Sequence, residues 1–183
     1  MILVEGPDNS GKSTLIDQLT KRFDLFKGDR PHGPPKNEQE LYYRIKDFEN
    51  FYNSKMFIMD RNPIIGESIY GPILRNHNML EDIGSQDVLE MEANLFSKIS
   101  TGTIFLIYCR PPLENLLDLS THQVKPYDTK EHLESLSKNK SKIVEAYDKF
   151  MSDWATYTYN YKDPGDLNNL IKTLEKEYFK NEC

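Results

Sequence analysis

The chain has 183 residues, 38% hydrophobic, 28% charged and 11% aromatic, which fits one globular domain with a sizeable core and excludes a disordered chain. Its net charge of −6, with no basic stripe, disfavours DNA or RNA as a non-specific partner. No apolar run is long enough to span a bilayer and no basic-then-apolar leader opens the chain. Cys109 ends an apolar run and Cys183 is the last residue, which suits neither a disulfide nor a metal cluster, so a reducing cytoplasm is expected.

Ile2-Leu3-Val4 reads as a buried strand, and the stretch 6–11 as a turn-rich loop. Leu15, Ile16 and Leu19 at helical spacing predict a helix over 13–23. A short strand is expected at 25–26, then a Gly- and Pro-rich loop over 28–36. Leu41, Tyr42, Ile45 and Phe48 predict a helix over 38–51, and 56–59 is a second clear strand that runs into Asp60-Arg61-Asn62-Pro63. The stretch 67–74 reads as a helix interrupted by Gly71-Pro72. An amphipathic helix is predicted over 86–99, and a third buried strand over 103–109 ends at Arg110-Pro111-Pro112. A short helix over 113–119 follows, then a long one over 129–154 capped by Thr129 or Asp128. A strand over 156–161 and a helix opening at Asp163-Pro164 and running to 179 complete the chain. Strands alternate with helices throughout, so a single α/β domain over 1–183 is expected, with a central parallel sheet, helices on both faces and right-handed crossovers. In such sheets ligands gather at the carboxyl ends of the strands, which points to the loops after Val4, Met59 and Cys109.

The first of these loops carries the strongest signal. Gly6-Pro7-Asp8-Asn9-Ser10-Gly11-Lys12-Ser13 matches G-x-x-x-x-G-K-[ST] between a predicted strand and a predicted helix. Glycines let backbone N–H groups curl around phosphate oxygens, and the helix N-terminus points its positive end at the same group. Lys12 would supply a charge to the β- and γ-phosphates, and the Ser13 hydroxyl would ligate magnesium. Gly6, Asp8, Asn9, Ser10, Gly11, Lys12, Ser13 and Thr14 are therefore the candidate residues for binding ATP with Mg2+. A plain Gly-rich turn would have no need of Lys-Ser at this place.

At the second loop, Asp60 can bind magnesium or accept a proton from a nucleophile, and Arg61 can grip a phosphate with two parallel hydrogen bonds. A surface ion pair is the plainer reading. Arg110 either approaches the phosphates or neutralises a helix end. The loop Gly28-Asp29-Arg30-Pro31-His32-Gly33-Pro34-Pro35 either borders an acceptor pocket or is a connector, with His32 a loop residue rather than a catalyst. Among Tyr42, Tyr43, Phe48, Phe51 and Tyr70 one ring could stack on a base, though aromatics at helical spacing are mostly core.

Glu5-Gly6-Pro7-Asp8-Asn9-Ser10-Gly11-Lys12-Ser13-Thr14 resembles the phosphate loop of thymidylate kinases, and Asp60-Arg61 resembles their Asp-Arg pair after the third strand. Arg30-Pro31-His32-Gly33 sits where they carry a related acceptor loop. Asp60-Arg61-Asn62-Pro63, the stretch 67–75 and Cys109-Arg110-Pro111-Pro112 look most like small bacteriophage-encoded members. The resemblance implies a three-layer α/β/α P-loop kinase fold and transfer of the γ-phosphoryl group of ATP to a deoxynucleoside monophosphate, for which a pyrimidine such as dTMP is expected. By that likeness Lys12, Ser13 and Thr14 bind the donor, Asp60 organises magnesium or the acceptor, and Arg61 holds the acceptor phosphate. The departure is in the lid, where family members carry arginines and 119–130 holds only His122, Lys125 and Lys130; Arg110 is one candidate substitute.

A monophosphate acceptor is mostly dianionic near neutral pH and attacks without a strong base, whereas a hydroxyl acceptor needs one. Asp60 suits either. Two alternatives therefore stand beside the monophosphate kinase: a kinase of a hydroxyl on a nucleoside or a modified (hydroxymethyl) pyrimidine, in DNA or free, and a P-loop module that binds nucleotide without turnover. A small-molecule nucleotide is the expected partner; a membrane is not, and a homodimer is allowed.

Overall fold

The computed structural model describes residues 1–28, 33–118 and 130–180. Arg30, Pro31 and His32 of the 28–35 loop, His122 and Lys125 of the lid, the caps Asp128 and Thr129, and Cys183 lie outside the described residues. Five parallel strands form one sheet in the order β2-β3-β1-β4-β5: β1 (Ile2–Glu5), β2 (Phe26–Lys27), β3 (Phe57–Asp60), β4 (Phe105–Cys109) and β5 (Tyr157–Tyr159). Every residue of β1 and β4 is buried, as parallel strands covered on both faces require.

Alternation along these strands builds two cores. Leu3, Met59, Leu106 and Tyr108 face α2 (Glu38–Glu49), α3 (Pro63–Tyr70), α4 (Ser85–Ser100) and α6 (Lys130–Trp154). Ile2, Val4, Ile58, Phe105, Ile107, Cys109 and Tyr159 face α1 (Lys12–Phe23) and α7 (Asp166–Thr173). The short α5 (Leu113–Leu117) follows β4. This is the three-layer α/β/α architecture of P-loop kinases. Among the described residues no helix is long and apolar enough to cross a membrane.

Three stretches differ from the sequence expectation. The helix expected over 67–74 starts earlier, because the Asn62 side chain accepts the Ile64 N–H at 2.9 Å and Pro63 occupies the first turn. Gly71-Pro72 does not end it but widens it into a π-helical turn, Gly71–Arg75, where the proline's missing donor is tolerated. A 3-10 turn at Met79–Asp82, capped by Asn78, is additional. The last helix begins at Asp166 rather than Asp163-Pro164, since the Asp163 side chain first closes a turn on the Gly165 N–H at 2.9 Å, and it ends in a π turn, Leu174–Tyr178. Strand β4 starts at Phe105, two residues later than expected, after a turn in which Gly102 adopts φ +71°.

Candidate active site at the phosphate loop

The loop after β1 is shaped by what lies under it. Gly6 has φ +145°, and a Cβ there would lie 2.7 Å from the Cys109 carbonyl oxygen. Gly11 has φ +83° and caps α1, where a Cβ would lie 2.8 Å from Cδ1 of Tyr161. Both positions therefore require glycine for conformation and for space. No side chain among the described residues caps α1, so its first N–H groups are left for an external acceptor. Ser13 and Thr14 are exposed there, while Ser10 is fully buried.

Lys12 does not stand out from the loop into solvent, as a residue of a surface loop would. It is 7% exposed, and its Nζ donates to the Gly6 carbonyl at 2.9 Å, the Pro7 carbonyl at 2.7 Å and Ser10 Oγ at 3.3 Å. Burial pushes its pKa down to about 8, aided by Arg61 and opposed by Asp60 and Asp8.

Asp60 ends β3 in register with Val4, which sets it beside the loop. Arg61 follows with φ +65°, a left-handed conformation that costs a non-glycine residue energy. The turn aims its guanidinium back at the loop: Nη2 lies 3.1 Å from the Gly6 carbonyl, 3.0 Å from Asp8 Oδ1 and 2.9 Å from the Tyr70 hydroxyl. The Tyr70 ring lies 5.0 Å from the guanidinium carbon, and its hydroxyl donates to Asp8 Oδ2 at 3.3 Å. Burial works against Arg61's charge, but Asp8 and its other neighbours outweigh burial and hold the pKa well above the usual value.

Glu5 fastens this turn from below. Wholly buried, it accepts the Asn62 N–H at 2.5 Å and the Tyr147 hydroxyl at 3.3 Å. Burial raises its pKa to about 7, the Asn62 N–H opposing. Arg110 lies elsewhere: it makes a two-pronged pair with Asp148 of α6, Nε–Oδ1 2.6 Å and Nη2–Oδ2 2.9 Å, while Nη1 donates to the Pro111 carbonyl.

The structure thus brings together Gly6, Asp8, Lys12, Asp60 and Arg61, with Asn9 tied at 2.9 Å to the Asp118 carbonyl at the end of α5. Tyr70, raised in the sequence as a base-stacking candidate, serves Arg61 and Asp8, and Phe48 is core. The sequence assigns no role to Glu5, Asn62, Tyr147, Asp148, Tyr161 or Lys140. A glutamate closing an otherwise apolar strand was the available signal for Glu5, and Asn-Pro at a helix start for Asn62. The others lie far along the chain and carried none.

No protein-family model matches the sequence, and no curated protein does either. Solved structures do resemble it in fold. The YorR protein of Bacillus subtilis, in complex with phosphorylated GDP, is 17% identical with a TM-score of 0.65, covering 97% of each chain. Deoxyadenosine kinase from M. mycoides with bound dATP is 16% identical with a TM-score of 0.56, over 95% of this chain and 98% of that one. Thymidylate kinase from Candida albicans is 15% identical with a TM-score of 0.55, over 95% and 90%. At these identities the likeness is one of fold.

Proposed function

We propose that this chain is a phosphotransferase that uses ATP and Mg2+ to phosphorylate a small nucleotide, a deoxynucleoside monophosphate with a pyrimidine base such as dTMP being the first choice. The observation that carries the reading is the 6–13 loop itself: an uncapped helix N-terminus, two glycines that cannot be replaced, and the Lys12 ammonium held on the loop's own carbonyls. That the resembling folds include a deoxyadenosine kinase and a thymidylate kinase supports it.

In this reading the loop N–H groups and Lys12 hold the β- and γ-phosphates. The bond from the γ-phosphorus to the β–γ bridging oxygen breaks, a bond to the acceptor oxygen forms, and ADP leaves with the electron pair. The exposed Ser13 hydroxyl and the Asp60 carboxylate would hold magnesium. Both are hard oxygen donors, the kind Mg2+ takes when phosphates and water complete its shell. Held by these two residues, the ion would supply charge neutralisation at the transferred phosphate.

A second reading, a kinase of a hydroxyl on a nucleoside or modified pyrimidine, is favoured by one observation. Arg61 is already engaged by Gly6, Asp8 and Tyr70, so an acceptor phosphate would have to displace those contacts. The test is ADP formation from ATP and Mg2+ against a panel of nucleoside monophosphates, nucleosides and hydroxymethyl-pyrimidine DNA. Turnover on monophosphates supports the first reading, and turnover on nucleosides or DNA alone supports the second. ATP binding without turnover on any acceptor would make the chain a binding module.

A further inference from the structure

One cation at this end of the molecule has no use in the scheme above. Lys140, on α6, is 3% exposed, and its Nζ makes no hydrogen bond to any described residue. Lys12, Arg61 and Arg110 each have several oxygen partners; Lys140 has none. An ammonium buried without a partner is costly, and natural chains keep one where something else pairs with it.

Its position says where that something would come from. Residues three, four and seven along from Lys140 share its helical face. They are Ile143 and Val144, both buried, and Tyr147, whose hydroxyl reaches Glu5 under the phosphate loop. Among the described residues, the charged groups near enough to act on Lys140 are Asp8 of the loop and Asp118 at the end of α5, the residue whose carbonyl holds Asn9. Burial lowers the Lys140 pKa and these two carboxylates raise it. Lys140 thus approaches the loop tip from the α6 face of the sheet, while Lys12 begins the helix packed on the other face.

We propose that Lys140 is a phosphate-contacting residue, whose buried ammonium meets the terminal phosphate of a nucleoside triphosphate seated in the 6–13 loop. The proposal rests on the nucleotide reading of that loop. The incoming oxygens would give the ammonium the hydrogen bonds it lacks, and two lysines would then flank the group on which charge is spread during transfer.

The experiment measures binding of ATP and of ADP, each with Mg2+, to the full chain and to Lys140→Met, Lys140→Arg and Lys12→Ala, with melting of the ligand-free proteins alongside. Lys140→Met is expected to weaken ATP binding about tenfold or more while ADP stays within about twofold. Lys140→Arg should restore part of the difference, and Lys140→Met should melt no lower than wild type because it removes an unpaired buried charge. Equal weakening of ATP and ADP, or a Lys140→Met chain that melts lower or fails to fold, would assign Lys140 a structural role and overturn the proposal. Loss of binding in Lys12→Ala with none in Lys140→Met would overturn it while leaving the loop reading intact. Unchanged binding in both variants would remove that reading too.

Discussion

Strands β3 and β4 flank β1, and each is followed directly by an arginine at the same end of the sheet, Arg61 and Arg110. The two guanidiniums go to different places. Arg61 turns through a left-handed φ of +65° onto the Gly6 carbonyl, Asp8 and Tyr70. Arg110 leaves its strand without such a turn and lies flat against Asp148 on α6, whose carboxylate also takes the Tyr108 hydroxyl at 2.6 Å. A strand-end arginine beside a phosphate loop is therefore not a site residue by position alone. The backbone region and the nearest carboxylate decide, and those carboxylates differ: Glu5 under the first tip is buried with a raised pKa, whereas Asp148 at the second is half-exposed and its pKa is lowered, Arg110 and Tyr108 outweighing burial.

The largest expected effect falls on the loop both tips surround. Lys12→Ala should lower turnover about a thousandfold or more on any acceptor that wild type uses, because it removes the charge that the proposed reading sets against the β- and γ-phosphates. It should also cost stability, on the order of 1–3 kcal/mol, since the buried Pro7 carbonyl loses the Lys12 donor and the Gly6 carbonyl keeps only Arg61. Steady-state rates with chemical denaturation measure both. Near-normal turnover would sink the loop reading.

Glu5→Gln sharpens the contrast between the carboxylates. A carboxyl whose folded pKa is raised to about 7 from the usual 4.5 binds a proton more tightly folded than unfolded. Its contribution is fully present below the unfolded value and is lost as pH rises through the folded one, a change of roughly 3 kcal/mol. Glutamine keeps an acceptor for the Asn62 N–H but does not titrate. The variant should therefore be more stable than wild type at pH 8 and show a flatter profile from pH 4.5 to 8. Denaturant midpoints across that range test it, and parallel profiles would mean Glu5 does not titrate there.

Arg61→Ala should raise the KM for a monophosphate acceptor about a hundredfold, with a smaller change for ATP, if the guanidinium trades its present partners for an acceptor phosphate. Arg61→Lys should recover only part, because a point charge cannot reproduce the fork. Equal loss on nucleosides and monophosphates would make Arg61 a brace for the loop, and would break the proposed link between its left-handed turn and the acceptor.

Much of this architecture was legible in the sequence. The apolar strand runs, the helical spacing in 13–23 and 86–99, and the Gly-Lys-Ser loop each carry their own local physics, and the structure follows them to within two residues. What could not be read depends on contacts between distant segments. Lys12 is buried because the loop folds over it, and Arg61 is engaged because Asp8 and Tyr70 converge on it. Lys140 and Asp148 look like any polar residues of a long helix until the sheet places α6 beside the loop. The π turn at Gly71–Arg75 needed the buried Glu67 carboxylate, which takes Arg75 and the Met79 N–H from beyond the helix end.

Arg110→Ala carries the smallest expected effect and bears directly on the comparison of the two tips. The pair with Asp148 is two-pronged but partly solvated, with the side chains 24% and 41% exposed, so its loss should cost about 1 kcal/mol. The Tyr108 hydroxyl keeps its bond to Asp148, which limits the damage to the strand end. Turnover should change by less than about fivefold, because among the described residues no hydrogen bond of Arg110 involves the loop and 1 kcal/mol is worth no more than a factor of about 5. Asp148→Asn offers a control: it weakens the pair while sparing an acceptor for Tyr108, and it should reproduce the stability change with the same near-normal rate. Suppose instead that Arg110→Ala lowers turnover a hundredfold while Asp148→Asn leaves it intact or raises it. Arg110 would then leave Asp148 during the reaction and reach the transferred phosphate. The two strand-end arginines would act as a pair, and the division between a loop-facing tip and a helix-facing tip would describe only where they rest.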